Sequence, residues 1–190
     1  MRKIKPSVPR AVEQALPPPA ARVRPGRFFL VFLLCVFAGF GALLAPFARP
    51  LVAQFSTGLV RTSTALISAA GGKVSAQGTF MSAPSSGFTI QMKDGCNGAH
   101  VTILLWSAVL AFPASFLWKA KGLLIGTVAI QGLNFVRFIS LFYLGQYNYA
   151  WFEFAHFYLW ESLIMLDALV VFWLWAAMVF RSVSRQNEAV

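Results

Sequence analysis

The chain has 190 residues, of which 58% are hydrophobic and only 12% are charged. An ordinary soluble domain has about 25% charged residues, so this chain has too little polar surface for a soluble fold, and its apolar content excludes a disordered protein. The net charge of +10 does not indicate a nucleic-acid binder, because seven of the 16 Lys and Arg residues lie in the first 27 residues.

The N-terminal part predicts a tail followed by a membrane anchor. Residues 1–26 are rich in basic residues and proline, which predicts a disordered basic cytoplasmic tail. Every residue from Phe28 to Ala48 is apolar or small, and about 20 such residues span the hydrocarbon core of a bilayer. We expect a membrane domain over residues 27–181 and a short cytoplasmic tail over residues 182–190.

The next two segments are more polar. Residues 49–70 contain Arg49 and Arg61 between apolar residues, a pattern that favours an amphipathic helix at the membrane interface. Residues 71–95 combine Gly, Ser and Thr with short alternating stretches. This pattern predicts a small extracytoplasmic hairpin or loop.

Three further apolar segments predict three more spans, Asn97–Trp118, Gly122–Leu144 and Trp151–Phe180, with a turn at Lys119–Lys121. The predicted fold is an all-α integral membrane bundle of about four transmembrane helices, with the interfacial helix and the hairpin added.

The distribution of basic residues predicts the orientation of this bundle. With four crossings, both tails and the Lys119–Lys121 turn share one side, which holds 11 basic residues against four on the other side. The positive-inside rule places the 11 in the cytoplasm. The chain is therefore expected in the lipid bilayer of the cytoplasmic (inner) membrane.

Three chemically reactive residues are predicted to lie at one depth, near the outer face. Arg137 lies 15 residues beyond Gly122, or ~22 Å along a helix. Cys96 and His156 lie at the outer starts of the second and fourth spans. Ionisable groups inside a span are energetically costly and are functional candidates by default.

Each of the three has a chemical role that suits catalysis. Cys96 precedes a helix whose free N–H groups would stabilise a nucleophilic thiolate. Arg137 is a permanent cation that can stabilise an oxyanion or bind a substrate carbonyl. His156 can act as a general acid or base. His100, four residues after Cys96 and on the same helix face, is an alternative base.

This ordered set resembles the exosortase/archaeosortase family of integral-membrane cysteine transpeptidases. The resemblance rests on C-N-G (Cys96-Asn97-Gly98), on N-x-x-R (Asn134 to Arg137) and on His156, and it covers about residues 28–181. The short chain is similar to short single-domain members such as exosortase H. The order of residues in the family favours His156 over His100.

The resemblance implies a sorting reaction at the outer face of the membrane. Its substrates would be exported proteins with a C-terminal signal, which consists of a recognition motif, a transmembrane helix and a basic cluster. Cys96 would form a thioester, Arg137 would stabilise the oxyanion and His156 would protonate the leaving amine. An acceptor nucleophile would then take the substrate, and Asn97, Gly98 and Asn134 would support the site.

Two other classes of function compete with this reading. In a non-enzymatic membrane scaffold or substrate chaperone, the polar residues only hold the bundle together. In a small transporter, Arg137 and Asp167 line a path across the membrane, but such proteins often contain an inverted repeat, and none is visible here. With two His and no phosphate-binding glycine motif, the sequence predicts neither a metal nor a cofactor.

Overall fold

A computed structural model describes the backbone of residues 24–188 and the side chains of residues 24–182. Most of the predicted tail over residues 1–26 therefore lies outside the described residues. The elements in chain order are helices α1 (Pro25–Leu44) and α2 (Ala48–Ala69), strands β1 (Ser75–Gln77), β2 (Phe80–Ser82) and β3 (Thr89–Gln91), helices α3 (Ala99–Ala111), α4 (Phe116–Tyr147) and α5 (Tyr149–Phe154), a π-helical turn (Ala155–Leu159) and helix α6 (Trp160–Glu188).

Within residues 24–188, three helical segments are long and apolar enough to cross a membrane, namely Pro25–Leu44, Phe116–Tyr147 and Tyr149–Ser182. They carry large apolar side chains on their outer surfaces, such as Phe37, which is 72% exposed, and Leu169, which is 66% exposed. Apolar surface on this scale is unfavourable in water and suits lipid. The prediction of an all-α membrane protein is confirmed.

The predicted second span, Asn97–Trp118, is wrong as a continuous helix. Helix α3 ends at Ala111 after 13 residues, because Pro113 has no N–H and disfavours a helical conformation in the residue before it. Phe112 is accordingly extended, with φ −71° and ψ 138°. Thirteen residues extend only ~20 Å, less than the ~30 Å thickness of the hydrocarbon core.

The predicted turn at Lys119–Lys121 is also wrong, because both lysines lie inside α4. The link between α3 and α4 is instead the four-residue segment 112–115. Lys119 Nζ donates to the carbonyl oxygen of Leu110 at 2.6 Å, at the end of α3 where cations complement free carbonyls and the helix dipole. The basic charge therefore still lies at this junction.

Two later helices extend beyond the predicted bounds of their spans. Helix α4 covers the predicted span Gly122–Leu144 and extends past both of its ends. Helix α6 continues to Glu188, so the residues predicted as a tail from position 182 are helical as far as they are described. The first helix ends at Leu44, two residues before Pro46, rather than at Ala48.

Helix α2 occupies the segment predicted to be amphipathic. At 3.6 residues per turn its buried residues fall on one face of the helix, whereas Arg49 and Arg61 are exposed. The buried face comprises Ala48, Ser56, Leu59, Val60, Ser63 and Ile67.

The segment predicted as a hairpin forms three short antiparallel strands, in the order β1-β2-β3. Met81 of β2 lies opposite Ile90 of β3, and both side chains are buried in a core shared with α2 and α4. The sheet is therefore attached to the helices through one apolar face.

Helices α3 and α4 run antiparallel, and their contacts fix the height of the Cys96 segment. Trp106 Nε1 donates to Thr127 Oγ1 at 2.9 Å, near the middle of α3. A side chain on Gly98 would come within 3.0 Å of Gln131 Nε2. The residues just before α3 therefore lie against the middle of α4.

Candidate active site

A tight turn holds Cys96 just before helix α3. The Cys96 backbone N–H donates to the Lys93 carbonyl oxygen at 3.0 Å, and Gly95 and Gly98 have φ values of 93° and 75°. Glycine adopts this left-handed conformation at little cost, unlike other residues. The two glycines therefore allow the chain to turn on both sides of Cys96, which is half-buried.

Asn97 connects this turn to two helices. Its side chain is completely buried. Its Nδ2 donates to Ser56 Oγ in α2 at 3.0 Å, and its Oδ1 accepts from the Ala99 backbone N–H at 3.0 Å. One of the free N–H groups at the start of α3 is thereby satisfied. Asn97 thus fixes the position of its neighbour Cys96.

Asn134 lies behind the same turn. Its side-chain amide would lie at an ordinary contact distance, 3.5 Å, from a side chain added to Gly98. The restriction to glycine comes instead from the positive φ of Gly98, 75°, which other residues rarely adopt. Neither Nδ2 nor Oδ1 of Asn134 has a hydrogen-bond partner in the described part of the chain. The resemblance implied a supporting role for Asn134, and its position puts it against the Cys96 turn without a hydrogen bond to Arg137.

Arg137 lies one turn further along α4 and is only 4% exposed. One guanidinium nitrogen lies 3.8 Å from Oε2 of Glu161, whose side chain is 67% exposed. An ion pair this long, with a partner that is mostly exposed, is weak. Because a guanidinium has five N–H donors, most of its hydrogen-bonding capacity is free for a ligand.

His156 lies in the π-helical turn Ala155–Leu159. The Trp160 N–H donates to the Ala155 carbonyl oxygen, a spacing of five residues that inserts one extra residue into the helical turn. The imidazole stacks on Phe152 at 5.7 Å between ring centroids, and its Nδ1 has no partner among the described residues. Such π turns are frequent at functional sites.

Cys96, Arg137 and His156 line one cavity of about 330 Å³. They come from three separate segments: the turn before α3, helix α4 and the π turn. The volume lies within the ~300–1,000 Å³ typical of ligand sites. A nucleophile, a cation and an acid–base group thus share one space.

Other residues also line the cavity, and most of them were not indicated by the sequence as parts of a site. They include Phe88, strand β3 and Lys93, and also the exposed Glu153, which lies about one helical turn before His156. The apolar part of the lining comprises Phe138, Leu141, Phe152 and Phe157. The alternating stretch around β3 was visible in the sequence, but its placement beside Cys96 depends on the tertiary fold.

His100 lies close to the turn, because its ring would be 3.7 Å from a side chain added to Gly95, but it lies outside the cavity. Its ring packs on Phe40 of α1, with 5.3 Å between centroids, and it is not among the residues that line the cavity. This position favours His156 over His100 as the partner of Cys96.

Asp167 lies in a second space, separate from the first. This groove of about 290 Å³ is otherwise lined by Trp160 and aliphatic residues of α4 and α6. Among the described residues, Arg137 and Asp167 thus line two different cavities, whereas the transporter reading expects both along one path.

The described residues contain no group of three or more His, Cys, Asp or Glu side chains that could hold a metal ion. No protein-family model, curated protein or solved structure matches the chain.

Proposed function

We propose that the chain is a membrane-embedded cysteine transpeptidase that cleaves C-terminal sorting signals of exported proteins, as the resemblance to the exosortase/archaeosortase family implies. The observation that carries this proposal is the cavity shared by Cys96, Arg137 and His156. A nucleophile beside an acid–base group and an oxyanion donor is the arrangement needed for acyl transfer. A non-enzymatic membrane scaffold would not require these three residues to line the same cavity.

In the first half-reaction, His156 takes the proton of the Cys96 thiol, and the sulfur attacks the carbonyl carbon of the peptide bond. The carbonyl oxygen becomes an oxyanion, to which the Arg137 guanidinium donates hydrogen bonds. The C–N bond then breaks, and the imidazolium returns its proton to the leaving amine. The N-terminal part of the substrate remains bound to Cys96 as a thioester.

In the second half-reaction, an acceptor nucleophile attacks the thioester carbon. His156 removes the proton of the acceptor and passes it to the Cys96 sulfur as the C–S bond breaks. The apolar side chains of Phe138, Leu141 and Phe152 reduce the access of water to the cavity, which favours transfer over hydrolysis.

We also infer four crossings, with the cavity at the outer face of the cytoplasmic membrane. From Lys119 to Arg137 is 18 residues, or ~27 Å along α4, close to the ~30 Å of a hydrocarbon core. The remaining part of α4 contacts the sheet region, because Ser86 Oγ donates to Gln146 Oε1 at 2.9 Å. The sheet would then lie outside the bilayer.

In this topology α3 and the link that follows it make the short second crossing. The ~20 Å of α3 leaves a mismatch that local thinning of the bilayer and the snorkelling of flanking lysines can absorb. The link brings Lys119 and Lys121 to the cytoplasmic side, in agreement with the positive-inside rule. Helix α2 would lie at the outer interface, with its buried face against α4 and the sheet.

The proposal is tested by co-expressing the chain with exported proteins that end in a transmembrane helix and a basic cluster, each carrying a C-terminal tag. We expect tag removal with the wild type and with Cys35→Ala, which removes the cysteine outside the cavity and leaves Cys96. Cys96→Ala and His156→Ala should abolish removal, and Arg137→Ala should slow it at least ~100-fold, the usual cost of losing one oxyanion donor.

The outcome that contradicts the proposal is tag removal that persists at the wild-type rate in Cys96→Ala. The companion variant His100→Ala tests which of the two histidines is the general base. It should retain activity, because His100 packs against Phe40 rather than lining the cavity. Loss of activity in His100→Ala but not in His156→Ala would reverse the assignment of the base.

A further inference from the structure

Strand β3 (Thr89–Gln91) ends the sheet, so one of its two edges has no neighbouring strand. The hydrogen bonds next to the strand show which edge is free. The Ala83 N–H donates to the Phe88 carbonyl oxygen and the Met92 N–H donates to the Thr79 carbonyl oxygen, both at 2.9 Å. Residues 88, 90 and 92 therefore direct their backbone groups to β2, because antiparallel pairing alternates.

The same alternation directs the backbone groups of Thr89 and Gln91 to the free edge. The side chains of Ser82 and Thr89 form a hydrogen bond at 2.9 Å, which fits the closer side-chain spacing of a pair that exchanges no backbone bonds. Outside the sheet, the described residues provide no hydrogen bond to the backbone of Thr89 or Gln91. Two N–H donors and two carbonyl acceptors are thus available along this edge.

The free edge of β3 borders the cavity that contains Cys96. Four consecutive residues, from Phe88 to Gln91, line that cavity. A cavity above one face of a strand would contact alternate residues, because successive side chains point to opposite faces. Contact with consecutive residues indicates that the cavity runs along the edge.

The strand is held rigidly against α4. The ring of Phe88 lies so close to Gly145 that any side chain there would collide with it, and it packs on Phe142 with 6.0 Å between centroids. Ile90 and Met92 are buried in the same core. The edge therefore has a fixed position relative to Arg137, which lies on the same helix.

We propose that the substrate binds in an extended conformation as a fourth strand on the free edge of β3, with its backbone paired to Thr89 and Gln91. This inference rests on the proposed function and adds how the peptide is recognised. An unpaired edge is a template for strand addition, and its hydrogen bonds do not depend on the side chains of the peptide. The ligand class is an extended polypeptide whose reacting carbonyl lies beside Cys96.

The test uses the full chain with Cys35→Ala, in lipid nanodiscs, and peptide electrophiles of two lengths. The probes are acetyl-alanyl and acetyl-tetra-alanyl chloromethyl ketones. In both, the Cys96 sulfur displaces chloride and forms a C–S bond, and the thiol proton passes to the buffer. The rate is followed by intact mass, with iodoacetamide as a probe that has no peptide backbone.

We expect the tetrapeptide probe to react about tenfold faster than the single-residue probe, the factor expected from one or two net hydrogen bonds. Two further tetrapeptide probes carry N-methyl groups on alternate amide nitrogens. One probe is methylated on the first and third amides, and the other on the second and fourth. Because only alternate amides face a neighbouring strand, one of these probes should lose the advantage and the other should retain it. The inference is overturned if the two N-methylated probes react with Cys96 at the same rate, or if the tetrapeptide probe reacts no faster than the single-residue probe.

A variant of the edge provides an independent control. Gln91→Pro removes an N–H that points away from β2, a position where an edge strand tolerates proline, and Gln91→Ala retains that N–H. Relative to the iodoacetamide rate of the same variant, Gln91→Pro should reduce the tetrapeptide rate to the single-residue rate, whereas Gln91→Ala should retain the tenfold advantage of the tetrapeptide. If Gln91→Pro folds and still reacts faster with the tetrapeptide probe than with the single-residue probe, the inference is contradicted. If Gln91→Pro does not fold, the comparison of the two N-methylated probes decides the question.

The experiment also separates this inference from the proposed function. If Cys96 reacts with iodoacetamide but gains nothing from peptide length, only strand addition fails. If Cys96 reacts with none of the probes, its role as nucleophile fails, and strand addition fails with it.

Discussion

At the scale of single residues, the site depends on side chains that position the reactive ones. Asn97 is the clearest case, because its buried amide bonds both to Ser56 in α2 and to the start of α3. The sequence indicated Asn97 only through the C-N-G resemblance. Its actual partner, Ser56, is 41 residues away, and local sequence patterns carry no information about such a contact.

Replacing Asn97 by Ala should reduce both stability and activity. It leaves the Ser56 hydroxyl and the Ala99 N–H without their partner, and each lost buried hydrogen bond costs about 1–3 kcal/mol. A double-mutant cycle with Ser56→Ala, followed by thermal unfolding in detergent, should give a coupling of about 0.5–1.5 kcal/mol. Additive effects of the two substitutions would show that this hydrogen bond contributes nothing.

The reactive residues themselves were predictable because each is chemically unusual for its surroundings. An Arg in an apolar segment is costly, so Arg137 is conspicuous in any sequence of this type. The apolar wall of the cavity has no such signal. Phe152 and Leu141 are ordinary residues of membrane helices, and they acquire a role only where the fold places them beside Cys96.

At the scale of elements, two interruptions of helices escaped prediction for different reasons. Pro113 was visible in the sequence and does end α3, but one proline hardly changes the mean hydropathy of an apolar stretch of spanning length. The π turn at Ala155–Leu159 has no proline or glycine to mark it. One inserted residue leaves the apolar content of a lipid-facing helix unchanged, so hydropathy cannot detect it.

Deleting one residue from the π turn tests whether it orients His156. Removing Tyr158 should convert the turn to regular α-helix and rotate His156 by ~100° relative to α6. We expect tag removal to be lost while the helical circular dichroism is retained. The matched control is Tyr158→Ala, which keeps the chain length and removes only a side chain that is 69% exposed. Full activity of the deletion variant would contradict this role.

The sheet was predicted in kind but not in detail. The alternating residues of positions 71–95 indicated extended structure, and the structure contains three strands instead of one hairpin. The strands are only three residues long, and their pairing depends on the burial of Met81 and Ile90 against the helices. Contacts with distant helices thus decide which short segments become strands.

At the scale of the whole molecule, composition alone predicted the class of protein. In the part of the chain that the structure describes, three helices suited to a membrane follow directly from the apolar segments. The helix rise predicted a common depth for Cys96, Arg137 and His156, but it could not predict that they line one cavity, because that depends on how α3, α4 and the π turn pack side by side. This packing is set by specific contacts such as Trp106 with Thr127 and Gly98 with Gln131.

The central claim is that Cys96 carries the substrate as a thioester. In the most direct test, the Cys35→Ala chain is mixed with a substrate that it processes, and acid is added during the reaction to stop it. The modified peptide of the chain is then identified by mass spectrometry. We expect Cys96 to carry the N-terminal part of the substrate through a bond that hydroxylamine cleaves. Processing of the same substrate by the Cys96→Ala variant, or an adduct on another residue, would contradict this claim.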